Sequence, residues 1–151
     1  MEEDKGQFDI PGHTAYAHGA AMMVKREVVD KVGVMPDIFF IYYEELDWSA
    51  QIRRAGYEVY YQPTALIFHK ESVTMGTESP IKAYFHTRNR ILFMRRNTNG
   101  FQFMFFLLFY SVFAVPKNII KYARKGQLEH LRNFLKGLVW NLVTPKSATV
   151  A

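Results

Sequence analysis

The sequence predicts an α/β fold, and three observations carry that expectation. Short apolar runs of strand character stand at GAAMMVKR (19–26), YEVYY (57–61) and ALIFH (65–69). Helical patterns lie between and after them, two of them closed by Gly33 and Gly56. At 151 residues, 49% hydrophobic and 16% aromatic, the chain is long and apolar enough for a core of its own.

Residues 1–18, with Gly6, Pro11 and Gly12, show little period and read as loop. GAAMMVKR is a candidate buried strand, and REVVDKVG a short helix stopped at Gly33. VMPDIFFIYY is a loop that turns aromatic. A helix is expected from about Glu44 to Gly56. Its early acids suit the positive end of the helix dipole, and Arg53 and Arg54 suit the other end. YEVYY is β-rich, Gln62-Pro63 breaks it, and ALIFH is the next strand candidate. After a Ser/Thr/Gly loop over 72–79, an arginine-rich helix is expected from Pro80 to about Arg96.

Phe101 to Val115 is apolar apart from Gln102 and the hydroxyls of Tyr110 and Ser111. Fifteen such residues fall short of the roughly 20 needed to span a bilayer. Lys117, Lys121, Arg124 and Lys125 follow, and an amphipathic helix over about Leu128–Leu142 precedes a polar tail. The apolar run with its basic flank suits either a buried helix or one lying on or shallowly inserted in an anionic leaflet. Exposed phenylalanine at this density needs a cover in either case, and peripheral contact or shallow insertion is preferred over a true span.

The chain has no cysteine, which excludes disulfides and thiolate metal sites and fits a reducing compartment. Its first residues, MEEDKGQFDI, are unlike a secretory signal. Residues 1–47 hold 4 Lys+Arg and 10 Asp+Glu, a balance of −6, whereas residues 48–151 hold 15 and 4, a balance of +11. An acidic first part suits a metal or a proton donor, and a basic second part suits phosphate, nucleic acid or an anionic membrane. No nucleic-acid-binding motif accompanies the basic half, so no nucleic-acid partner is expected.

The stretch FIYYEELDWSAQIRRAGY (40–57) crowds Glu44, Glu45 and Asp47 among aromatic residues. Spacing alone leaves two readings open: acids placed for the helix dipole, or carboxylates gathered to handle a proton or a metal. Paired glycosidase carboxylates are disfavoured, because adjacent helical residues point roughly 100° apart and cannot face each other across a sugar.

Taken together, Gly19-Ala20, Lys25-Arg26, Val32-Gly33, Phe40-Ile41-Tyr42, Glu44-Glu45-Leu46-Asp47, Arg53, Gly56-Tyr57, Pro63, His69 and Arg88-Asn89 form an ordered set. That set resembles the C-terminal half of the catalytic domain of family-2 glycosyltransferases, particularly the rhamnosyltransferase-like enzymes of bacterial polysaccharide synthesis. Glu45 stands where the family more often has Asp. No Asp-x-Asp, the family's metal and nucleotide-sugar motif, occurs in the sequence.

The resemblance implies a partial GT-A fold over 1–97, lacking its N-terminal nucleotide-binding half, followed by an apolar and basic helical extension over 98–151. It implies an inverting transfer that uses Mg²⁺ or Mn²⁺ and a nucleotide sugar such as a dTDP- or UDP-sugar. The acceptor would be a glycan or a lipid-linked glycan. Glu45 is the expected base, Glu44 the second choice, and Asp47 orients the cluster or binds acceptor hydroxyls. His69 is the expected metal contact, and Arg88 and Asn89 the expected diphosphate contacts. Gly19 and Ala20 would let backbone approach the sugar, and Trp48 would stack on it. The expected location is cytoplasmic, at the inner face of the membrane, with the missing half belonging either to a longer form of this chain or to a separate chain. The alternative is a catalytically incompetent fragment that binds only membrane or a partner.

Overall fold

A computed structural model describes residues 3–68 and 79–144. It is mostly helical, with one two-stranded sheet, and is compatible with an α/β class. The chain divides into two compact units, residues 1–36 with 44–71 and residues 37–43 with 72–151. The helix that begins at Pro80 packs with the C-terminal helices.

In the first unit, β1 (Gly12–His13) pairs antiparallel with β2 (Tyr60–Tyr61), with Gly12 opposite Tyr61 and His13 opposite Tyr60. α1 (Arg26–Val32) ends as expected at Gly33, whose φ of 89° favours a residue without Cβ. α2 (Glu44–Arg54) begins at the expected residue, and Gly56 at φ 89° turns the chain beyond it. Trp48 and Ile52, four apart on one face of α2, meet Val28 of α1. Met22, Val24, Met35, Tyr57 and Val59 close this small core.

Two strand expectations fail in this unit. Residues 19–25 form a turn, with the Ala21 N–H donating to the His18 carbonyl, and then a stretch without regular structure before α1, which takes Arg26. Met22 and Val24 face the core while Met23 is 99% exposed, so the alternation of a strand is present without a ladder. The described part of 65–69 is likewise not a strand, and Phe68 is 95% exposed. YEVYY shrinks to the two residues of β2. Strand propensity expresses itself only where a neighbour takes the backbone N–H and C=O groups, and the described residues supply that neighbour at β1 alone.

In the second unit, a 3₁₀ turn (Asp37–Phe39) leads into the aromatic loop 40–43. α3 (Pro80–Asn97) starts with Pro80 in its first turn and the Ser79 hydroxyl accepting from the Lys82 N–H. α4 (Gly100–Phe109) opens on a capping box: Asn99 Oδ1 accepts from the Gln102 N–H, and Gln102 Oε1 accepts from the Asn99 N–H. A π turn (Tyr110–Ala114) joins α4 to α5 (Val115–Arg124), and Gly126 turns the chain into α6 (Leu128–Val143). Pro116 has no N–H for the carbonyl four residues back, and the widened π turn sits where its ring would crowd the helix.

The helix is thus continuous from Gly100 to Arg124, 25 residues, long and apolar enough by length and composition to cross a membrane. The apolar run of fifteen residues therefore understated the element that contains it. α6 lies close on α3 at Gly137, where a Cβ would stand 2.8 Å from the Tyr84 carbonyl oxygen and 3.0 Å from Thr87 Cβ. Ile38, Phe39 and Leu92 form one buried cluster of this unit, with Tyr43, Phe93 and Trp140 against them.

Candidate functional site

α2 places Glu44 and Glu45 side by side in its first turn. One carboxylate oxygen of each, Glu44 Oε2 and Glu45 Oε2, is shielded from solvent and has no hydrogen-bond partner. Burial raises the pKa of Glu44 above the ordinary glutamate value, its own backbone N–H opposes this, and the Glu45 charge adds to the rise. A carboxylate pushed up in this way, with an unused oxygen, can take a proton from a hydroxyl brought to it.

The neighbours on α2 do other work. Asp47 is fully buried and accepts from Gln51 Nε2 at 2.8 Å. Trp48 lies in the core, and its indole N–H donates to the Gly33 carbonyl at 2.9 Å. The ring of Trp48, expected to stack on a sugar, packs with Val28 and Ile52, and its polar atom is committed to backbone. Gly19 and Ala20 sit exposed on the turn after His18, with open space around Gly19. In the first unit the structure thus brings together Glu44 and Glu45 and turns Asp47 and Trp48 inward.

In the second unit Arg88 and Asn89 are also turned inward. Arg88 Nη2 donates to the Ile38 and Phe39 carbonyls at 2.6 and 2.8 Å, and its Nε to Asn89 Oδ1 at 2.8 Å. Its guanidinium lies 4.8 Å from both the Phe85 and Trp140 rings. Asn89 Nδ2 donates to the carbonyls of Phe39, Ile41 and Tyr42 at 2.7 to 2.9 Å. The pair expected to hold a diphosphate instead holds backbone.

The loop it holds is strained. Phe40, Tyr42 and Tyr43 all have positive φ, 63°, 65° and 76°, which is costly for bulky residues. Their rings settle on α3: Phe40 against Phe85, Tyr42 stacked on His86 at 4.2 Å, and the Tyr43 hydroxyl accepting from Arg90 Nε at 3.0 Å. All three fall within the four residues before Glu44 in the chain.

Sequence reasoning passed over a cavity of about 350 Å³ in the second unit. Lys82, His86 and Arg90 line one side from α3, and Tyr110, Lys121 and His130 line the others. Burial lowers the pKa of His86, and the charges of Arg90 and Lys82 lower it further. A signal was present in the sequence: Lys82, His86 and Arg90 recur at four-residue steps, which puts them on one helical face. His86 and His130 are invisible as a pair because 43 intervening residues separate them.

Among the described residues no three histidines or acids are grouped to hold a metal ion. His69 lies outside the described residues.

No family model matches the chain, and no solved structure matches it. Curated proteins do. The chain is 31% identical over 78 residues to a low-salt glycan biosynthesis hexosyltransferase of Haloferax volcanii, covering 51% of the chain and 25% of the relative. It is 26% identical over 141 residues to the dTDP-rhamnosyl transferase RfbF of Shigella flexneri, covering 84% of the chain and 47% of the relative. A third relative is the N-acetylglucosaminyl-diphospho-decaprenol L-rhamnosyltransferase of Mycobacterium tuberculosis, 23% identical over 82 residues, 54% of the chain and 27% of the relative. The chain thus spans from a quarter to about half the length of these relatives. All three are named as glycosyltransferases. A match over 84% of the chain cannot avoid α2 to α5, so the similarity to the Shigella protein runs through both units.

Proposed function

We propose that the chain is the acceptor-side portion of an inverting glycosyltransferase with a partial GT-A fold, acting in the synthesis of a cell-surface glycan. The observation that carries this reading is the pair of shielded, unpartnered carboxylate oxygens at the start of α2. They stand in the segment whose motif order resembles the family and whose curated relatives are sugar transferases.

In the proposed step a carboxylate of the pair accepts the proton of the acceptor hydroxyl as its oxygen attacks the anomeric carbon. The bond from that carbon to the donor phosphate breaks, and the nucleoside diphosphate leaves with the bonding electrons. Motif position favours Glu45 as the base, whereas environment favours Glu44, whose pKa is raised. The donor is a nucleotide sugar, a dTDP- or UDP-sugar, and the acceptor a glycan or lipid-linked glycan. Mg²⁺ or Mn²⁺ would stabilise the departing diphosphate. Among the described residues no three histidines or acids are grouped to hold the ion. The donor-binding half is contributed from outside the 151 residues, and the enzyme works at the cytoplasmic face of a membrane with the apolar helix in peripheral contact.

The test is to assay Glu45→Gln and Glu44→Gln separately for sugar transfer in the full-length protein, with divalent ion present. Loss of transfer on the order of 10²–10⁴-fold in one variant, with nucleotide binding retained, identifies the base. Undiminished turnover in both removes the acid pair from the mechanism.

A further inference from the structure

The cavity of the second unit has no part in the proposed proton transfer, and its chemistry points elsewhere. Lys82, Arg90 and Lys121 bring three positive charges to its walls, and no carboxylate lines it among the described residues. Burial first, and then the charges of Arg90 and Lys82, lower the pKa of His86, in keeping with a positive lining. His130 Nε2 is shielded from solvent with no hydrogen-bond partner. Buried polar atoms are ordinarily paired, so an orphan beside three cations marks a place where a polyanion would complete the bonding.

A second observation identifies the rest of the ligand. Tyr110 and Lys121 stand on the 25-residue helix Gly100–Arg124. Phe101, Phe105, Phe109 and Phe113 of that helix are exposed, while Tyr110, which faces the cavity, is buried. One helix thus carries a wall of the anion cavity and an uncovered apolar surface. A free anion has use for the first only, whereas a molecule with a charged head and an apolar chain has use for both.

We propose that this cavity binds a phosphate or diphosphate ester carried on an apolar chain, with Lys82, Arg90 and Lys121 meeting the phosphate oxygens and the chain lying along the exposed aromatic face of α4. The inference rests on the lipid-linked acceptor of the proposed function, the molecule in that reading that has both parts.

The 151-residue chain is incubated with phosphatidylcholine vesicles with and without farnesyl diphosphate, and separately with inorganic pyrophosphate. Binding is read by cosedimentation and by the imidazole NMR signals of His86 and His130. Vesicles carrying the diphosphate are expected to bind at least about tenfold more tightly than plain ones, with both imidazole signals shifting. Lys82→Gln combined with Lys121→Gln removes that gain and leaves binding to plain vesicles unchanged. Lys117→Gln combined with Arg124→Gln, outside the cavity lining, keeps the gain. If pyrophosphate binds as tightly as farnesyl diphosphate, the apolar-chain part of the proposal is overturned. If neither probe moves His86 or His130 in the unsubstituted chain, the whole proposal is overturned, whatever the variants do to folding. The measurement needs no turnover, so a failed acid pair leaves it standing, and a failed cavity leaves the transfer chemistry at α2 standing.

Discussion

The acid pair of α2 and the Arg88–Asn89 pair of α3 belong to the same ordered motif set, yet they use their polar atoms in opposite ways. Glu44 and Glu45 each keep a shielded oxygen without a partner. Arg88 and Asn89 direct their described hydrogen bonds to four carbonyls of residues 38–42 and to each other. Atoms left unpaired at a shielded site are available for chemistry, whereas atoms already paired to backbone are holding a shape. A motif therefore mixes residues that act with residues that hold, and hydrogen-bond accounting separates them.

The sharpest way to break this comparison is to remove the holding side. In Asn89→Ala, the carbonyls of Ile41 and Tyr42 lose their donor and that of Phe39 keeps only Arg88 and the Ile41 N–H, beneath a loop with three positive-φ aromatics. A loss of roughly 2–4 kcal/mol is expected in urea unfolding of the 151-residue chain, from the stranded acceptors. If Asn89 were instead a ligand contact, stability would be unchanged and only binding of an added diphosphate would fall.

Gly137→Ala is the next test, and it is confined to the α3–α6 contact. The added Cβ would meet the Tyr84 carbonyl at 2.8 Å, backbone that cannot swing aside, so α6 must shift. A cost of about 1–3 kcal/mol is expected, with a fall in melting temperature and no change in the helix content read by circular dichroism. A neutral result would mean that the two helices tolerate wider spacing than Asn141 allows, whose Nδ2 bonds both the Arg88 and Gly137 carbonyls.

Helices were legible because their signals are local: Gly33 and Gly56 closing α1 and α2, Pro80 opening α3, and acids at the start of α2. Strands were not, because Met22–Val24 and Leu66–Phe68 have the composition of strands but no described ladder partner. At the site, the position of Glu44 and Glu45 could be read, but the inward turn of Trp48 could not. A tryptophan after an acidic cluster looks the same on paper whether its N–H meets a sugar or the Gly33 carbonyl. The Lys82, His86, Arg90 stripe was readable as a face of one helix. What it faces, Lys121 and His130, depends on how α5 and α6 return to α3.

The smallest effect expected is the most direct reading of the acting side. Glu44 has a raised pKa in the folded chain, so between the ordinary glutamate value and that raised value the folded state binds more protons than the unfolded state. Stability contributed by the protonated group is present below the unfolded pKa and declines as pH rises through the folded one. Near neutrality the ionised, partly buried carboxylate is thus a net cost, shared with the Glu45 charge. Glu44→Gln should unfold at a slightly higher urea concentration than the parent at pH 7, with the advantage shrinking towards zero as the pH is lowered past the ordinary glutamate range. The sign decides between two roles. A carboxylate placed to serve the α2 dipole would be stabilising when ionised, and its replacement would weaken the chain at pH 7. One held ready for a proton makes the chain less stable when ionised, and its replacement strengthens it.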